Sequence, residues 1–236
     1  GLYSLNQCLL IYIFLIMRKL TFFSVILFFF GLSLQLSTAQ TKRKAKVQVV
    51  NKSGRAIYNV TVFHKYSDIY KDRKTWEGAL NSGAKTPANF TARYQTGFGR
   101  TGADWWLVTW TESKDANSVT QYTTAPKNFR AVIDFYEKVG KIGIPIATSV
   151  LGVASVAAGP VVGLAVAGGS IIANEIAART FNNESTVGYK KHEFKKEDQN
   201  KVTTITIGKK RGVTFKSKSG KSKTGTQKKV MKFKMN

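Results

Sequence analysis

Cysteine is nearly missing from this sequence of 236 residues, with Cys8 the single example. An exported chain that also loses Cys8 has no disulfide and no thiol chemistry, so packing alone must hold its fold. Histidine is almost as scarce, at His64 and His192. A metal centre wants three or four nitrogen, sulfur or oxygen ligands at fixed spacing. Only His64, Asp68 and Asp72 come near that pattern, and a strand running into a loop reads more simply as a solvated edge. Acids are few: thirteen stand against thirty-seven lysines and arginines, for a formal net charge of +24. That imbalance favours anionic surfaces such as phospholipid, acidic glycan, cell wall or nucleic acid. No period repeats along the chain, which excludes a repeat architecture.

The longest absence is of charge itself. From Ile142 to Asn174 thirty-three residues pass without a charged side chain, closed by Lys141 and Glu175. Such a stretch must hide from water in a protein core, a partner or a membrane. As one helix rising about 1.5 Å per residue it would reach about 50 Å, too long for a bilayer core about 30 Å thick. Split at Gly159–Pro160, each half reaches only about 25 Å. A two-helix hairpin fits better, with Pro160 opening the second helix. Ala154/Ala158, Gly159/Gly163 and Ala165/Gly169 are small residues four apart, which allow close helix approach. Val150, Val153, Gly159, Pro160, Gly163 and Val166 are the hairpin's candidate contact residues, whether it packs across a sheet, in a dimer, or in lipid.

What is present at the N-terminus reads as an export signal. Met17-Arg18-Lys19 is a basic opening, Leu20 to Leu36 an apolar run and Ser37-Thr38-Ala39 a small-residue cleavage site. Residues 1–16 are expected to be upstream or fragment sequence, 17–39 a signal peptide, and the protein secreted, extracellular or periplasmic. The alternative is membrane anchoring through an uncleaved signal segment.

The remainder is rich in alternation. Lys44–Asn51 and Arg55–Tyr66 read as strands joined in a hairpin by the turn at Asn51-Lys52-Ser53-Gly54. Ser67–Gly83 is polar and turn-rich, with Trp76 as an anchor. Asn89–Gln95, Asp104–Trp110 and Ser118–Thr124 follow as strands, and the second, apolar on both faces, should be central. An amphipathic helix is expected over Lys127–Val139, where Phe129, Val132, Ile133 and Tyr136 share a face. Thr186–Phe194, Lys201–Ile207 and Val213–Lys218 return to strand pattern. From Gly208 onward there are eleven lysines or arginines and no acid. The fold class is therefore mainly β: a β-sandwich of antiparallel strands over 40–217, with an apolar helical insertion at 127–179. Residues 218–236 read as a basic disordered tail carrying Lys221, Lys223, Lys228 and Lys229.

No catalytic set emerges, and no cofactor is implied. Asp104 beside Trp105 has no partner carboxylate in the pattern. The Gly97–Gly102 loop precedes a strand, not a helix N-terminus, so it lacks the context of a phosphate cradle. Trp106, Val108 and Trp110 share a core face, while Trp105 with Tyr66 and Tyr94 could form a membrane or glycan rim. Asn51, Asn59, Asn89 and Asn183 match the glycosylation pattern.

His64–Asp68, Tyr94–Trp110, Asn128-Phe129-Arg130, Phe181–Thr186 and Phe215–Gly220 together resemble the PUD-type domain family, over about 45–224. That family is named for up-regulation in long-lived insulin-receptor-pathway worm mutants. The resemblance implies a β-sandwich without enzymatic activity, whose worm members associate as dimers; it carries over no catalytic residue.

The expected function is non-enzymatic binding of anionic lipid or cell-surface glycan, with the 142–174 hairpin inserting or packing. The alternative is a structural domain, homo- or heterodimeric, with that hairpin permanently buried. Non-specific nucleic-acid binding ranks third, because phosphate contact needs basic residues laid along a face, not strung on a floppy tail.

Overall fold

The computed structural model describes residues 40–97, 99–100, 102–115, 118–125, 181, 186 and 188–232, with a helical stretch at 16–19 and 21. It divides into two units, Gly1–Thr41 with Gly97–Arg100, and Lys42–Thr96 with Thr101–Asn236. In the first, the Gln40 amide donates to the Gly99 carbonyl at 2.8 Å. The second carries the sheet.

Ten strands build it. They are β1 (Thr41–Asn51), β2 (Ile57–Tyr66), β3 (Tyr70–Leu80), β4 (Phe90–Thr96) and β5 (Asp104–Asp115). After them come β6 (Ser118–Ala125), β7 (Lys190–Lys191), β8 (Val202–Ile207), β9 (Val213–Lys216) and β10 (Lys221–Lys232). The chain is thus mainly β, a single nearly closed sheet in the order β3-β2-β5-β6-β10-β9-β8-β1-β4, with β7 against β5. β1 and β8 run parallel, with Val49 opposite Ile205. β10 pairs antiparallel with β9 through Lys221–Thr224, then with β6 from Gly225 to Lys232. It therefore links a front ladder (β1, β8, β9 and the start of β10) to a back ladder (β3, β2, β5, β6 and the rest of β10).

One core fills the inside. Val47 and Val49 of β1 alternate inward with Ile205 and Ile207 of β8, Phe215 of β9, and Trp106, Val108 and Trp110 of β5. Each is at most 1% exposed, and burying a large apolar side chain contributes about 1.5–3 kcal/mol. The end strands β3 and β4 meet through side chains. Trp76 Nε1 donates to Asn89 Oδ1 at 3.0 Å, and its ring stands edge-on to Phe90.

The expected central strand and the inward tryptophans are found, and the expected strands at 201–207 and 213–218 pair as β8 and β9 across Gly208–Gly212. Four other expectations need correction. The β1–β2 hairpin does not form: β1 pairs with β8, and β2 with β3 and β5. Asn51 steers the chain between ladders instead. Its Nδ2 donates to the carbonyls of Arg55 and Leu80, and its Oδ1 accepts from Ser53 N–H.

The polar stretch 67–83 contains β3, an end strand whose charged residues stay half-exposed or exposed while β2 sets its register. Of the strand expected at 186–194, only Lys190–Lys191 pairs among the described residues. The basic tail is not disordered between Lys221 and Lys232. It is β10, paired first with β9 and then with β6, and these neighbours override a composition that suggested disorder. The helical insertion at 127–179, the hairpin residues Val150, Val153, Gly159, Pro160, Gly163 and Val166, and most of the signal segment lie outside the described residues. Among those described, no helix is long and apolar enough to cross a membrane.

Candidate functional site

The two histidines and Asp104 come together inside the protein. His64, fully buried on β2, faces Asp104 of β5, with Nε2 2.9 Å from Oδ1. The other Asp104 oxygen accepts from the Phe194 N–H at 2.8 Å. On the far side, His64 Nδ1 lies 3.5 Å from Asp72 of β3. Asp72 in turn accepts from Arg93 of β4, through the backbone at 2.9 Å and Nε at 2.7 Å. Four strands are thereby joined by one chain of charge that also ties β3 to β4.

Burial would depress the His64 pKa, but the hydrogen bonds and charges of Asp104 and Asp72 outweigh it, so the imidazole holds its proton more tightly than usual. Asp72 is also desolvated, yet its bonds to His64 and Arg93 leave it below the ordinary carboxylate range. His192 differs. Desolvation dominates, keeping it more readily neutral; its Nδ1 meets Ser222 Oγ at 3.0 Å, and its ring stacks on Phe215.

A general base must reach the proton it takes, and His64 and Asp104 are sealed from solvent at 0% exposure. The cluster is therefore a brace between strands. No metal-holding group of three or more His, Cys, Asp or Glu exists among the described residues, and Asp68 stands exposed in the turn after β2.

The proposed rim does not assemble. Tyr66 and Tyr94 are both core residues at 0% exposure. Tyr66 packs against Gly102, where any side-chain carbon would collide with its ring, so that position must be glycine. The Tyr94 hydroxyl donates to the Lys195 carbonyl at 3.0 Å, and burial raises its pKa. Trp105 alone is half-buried, and it points to the opposite face of β5, across from Lys65 and Lys191. Strand parity separates them: Tyr66 lies opposite Asp104, not Trp105. Two of the glycosylation-pattern asparagines are also sealed, since Asn51 and Asn59 are buried and their side chains bond the backbone.

The outer surfaces of the two ladders differ sharply. On the middle strands of the back ladder, outward residues are buried: Phe63 of β2, Leu107 and Thr109 of β5, and Val119 and Thr123 of β6 are at most 1% exposed. Lys65 joins them, its ammonium 4.7 Å from the Tyr189 ring, and desolvation lowers its pKa to about 8. On the front ladder the outward residues form rows: Gln48–Thr204–Lys216–Lys221, and beside it Val50–Thr206–Thr214–Lys223. Lys46 stands one row further, beside Val202. Lys46, Lys216, Lys221 and Lys223 are all exposed.

No aspartate or glutamate occurs in β1, β4, β8, β9 or β10; every carboxylate on a described strand is on β3 or β5. In the loop before β8, Asp198 is buried and accepts from the N–H groups of Lys195 and Ser219, while Glu197 beside it is exposed. Sequence reasoning found Lys221 and Lys223 but missed Lys46, Lys216 and the threonines between them. The signal was there, in the alternation of hydroxyl or apolar with lysine along β1 and β10.

A family model described as Up-Regulated in long-lived daf-2 matches residues 41–226, spanning the strands from β1 into β10. No curated protein matches the chain.

Proposed function

This chain belongs to the family up-regulated in long-lived daf-2, and we propose that it is a secreted, non-catalytic β-sandwich that binds anionic membrane or cell-surface material. The observation that carries this reading is charge segregation: five contiguous strands, β10-β9-β8-β1-β4, hold no acid. The sandwich is supported by the single core and by β10, which changes partner partway along its length. The buried state of His64 and Asp104 argues against chemistry there.

The expected result is that wild-type protein sediments with phosphatidylserine-containing vesicles or acidic cell-wall polymer, and that added salt releases it. Absence of binding to every anionic surface at low salt would remove the reading.

A second reading is favoured by one observation, the burial of Phe63, Leu107 and Val119 on the outward side of the back ladder. Here the uncharged run from Ile142 to Asn174 covers that face permanently, in a structural or dimerising domain. Val153→Asp and Val166→Asp would then abolish folding, whereas a hairpin serving only lipid insertion would lose vesicle binding and keep its thermal transition.

A further inference from the structure

The outward rows of the front ladder have a feature that their count of charges does not convey. Lys216 and Lys221 are direct cross-strand partners, and Lys223 stands two residues along β10 from Lys221, opposite Thr214. Like charges placed opposite one another across a ladder destabilise it. No carboxylate on these strands relieves the repulsion. The arrangement thus has a cost in the free protein that an anionic partner would cancel.

We propose that this face docks flat on the headgroup layer of an anionic phospholipid membrane, with Lys46, Lys216, Lys221 and Lys223 as its cationic contacts and Thr204, Thr206 and Thr214 as hydroxyl donors between them. The assignment rests on the function proposed above and names its surface and partner. Three properties of the face select lipid over the other polyanions. First, the lysines spread in two dimensions: neighbouring strands lie about 4.8 Å apart, so Lys46 on β1 and Lys221 on β10 stand about 14 Å apart across the ladder. A planar array of headgroups meets all of them together, whereas a single glycan chain follows one row.

Second, the outward positions of these strands carry no aromatic side chain, so nothing there stacks on a sugar ring or a nucleic-acid base. Third, the cations are lysines. These are compact point charges attracted to a diffuse anionic surface, and they lack the planar fork with which arginine reads individual phosphates. Nucleic acid, earlier ranked low because its lysines were placed on a disordered tail, is disfavoured for a different reason: the lysines do lie along a face, but one without stacking platforms.

The test uses the full chain and vesicles of phosphatidylcholine, alone or mixed with phosphatidylserine. One variant combines Lys216→Gln, Lys221→Gln and Lys223→Gln. A control removes the same charge elsewhere, with Arg55→Gln, Lys71→Gln and Arg73→Gln. At about 1 kcal/mol, or about fivefold, per lysine, the face variant should bind mixed vesicles on the order of 100-fold more weakly. The control should stay within a few-fold of wild type.

Thr206→Asp, which sets a carboxylate in the centre of the face, should also weaken binding while leaving the thermal transition in place. Equal losses in the face variant and the control would overturn this assignment and leave anionic-surface binding standing. Failure of the wild type on all vesicles would overturn both, unless a sulfated polysaccharide bound with the same dependence on Lys216, Lys221 and Lys223. That result would overturn the lipid commitment alone.

Discussion

The two outward faces of this sheet are made from the same kind of strand and have opposite fates. On the back ladder, threonines and apolar residues such as Leu107, Thr109 and Thr123 are sealed, together with a lysine, Lys65. On the front ladder, threonines at the same alternation, Thr204, Thr206 and Thr214, are only half-buried and stand among exposed lysines. Threonine alone does not tell the faces apart. The difference lies in the neighbours: Phe63, Leu107 and Val119 make one face cheap to desolvate, while Lys46, Lys216, Lys221 and Lys223 make the other costly. Alternation therefore predicts that a strand has two faces. It does not predict that only one of them meets water.

The strongest way to break this comparison is to place one charge on each face. Leu107→Asp puts an unpaired carboxylate into a sealed site and should cost about 4 kcal/mol or more, enough to unfold a marginal domain. Thr206→Asp, on the open face, should stay within about 0.5 kcal/mol of wild type. Urea denaturation of both variants measures the gap. Similar midpoints would mean that the two faces are equally open.

A middle-sized effect comes from pH. His64 sits behind the back ladder with a raised pKa. Its stabilisation is complete below the ordinary histidine value of about 6.5 and is lost as pH rises through the raised folded value. His192, with a lowered pKa, acts in the other direction, since it costs stability as pH falls below about 6.5. Tm should therefore pass through a maximum near that pH. His64→Gln should flatten the alkaline side, and His192→Phe the acid side. The front face carries neither histidine nor acid on its strands, so vesicle binding by the folded protein should change little across the same range. A binding midpoint that tracks the Tm profile would contradict the separation of the two faces.

The smallest expected effect is at Lys221. Lys221→Glu turns a repelling cross-strand pair with Lys216 into an attracting one. Stability should rise by less than about 1 kcal/mol, while binding to anionic vesicles falls. Loss of stability with unchanged binding would mean that the lysine pair has no docking role.

Much of this was legible residue by residue. The inward set on β1, β5 and β8 follows from strict alternation, as does the central place of β5, apolar on both faces. β3 and β10 were not legible, because Lys71-Asp72-Arg73-Lys74 and the lysine-rich final strand have compositions that suit loops. The candidate rim failed for a similar reason. Tyr66 and Tyr94 are amphipathic residues that suit a rim or a core, and only the positions of Gly102 and Lys195 decide between them.

By itself the sequence determined the strand periods, the inward apolar set, the excess of lysine and the absence of a disulfide framework. These are local or compositional properties, written in the order of residues along one chain. Tertiary structure decided the partners: that β1 lies beside β8 instead of β2, that β10 links both ladders, and that Asp72, His64 and Asp104 form one brace. It also decided which face stays wet. Strand pairing joins residues far apart in the chain, and no local pattern carries the free energy of those distant contacts.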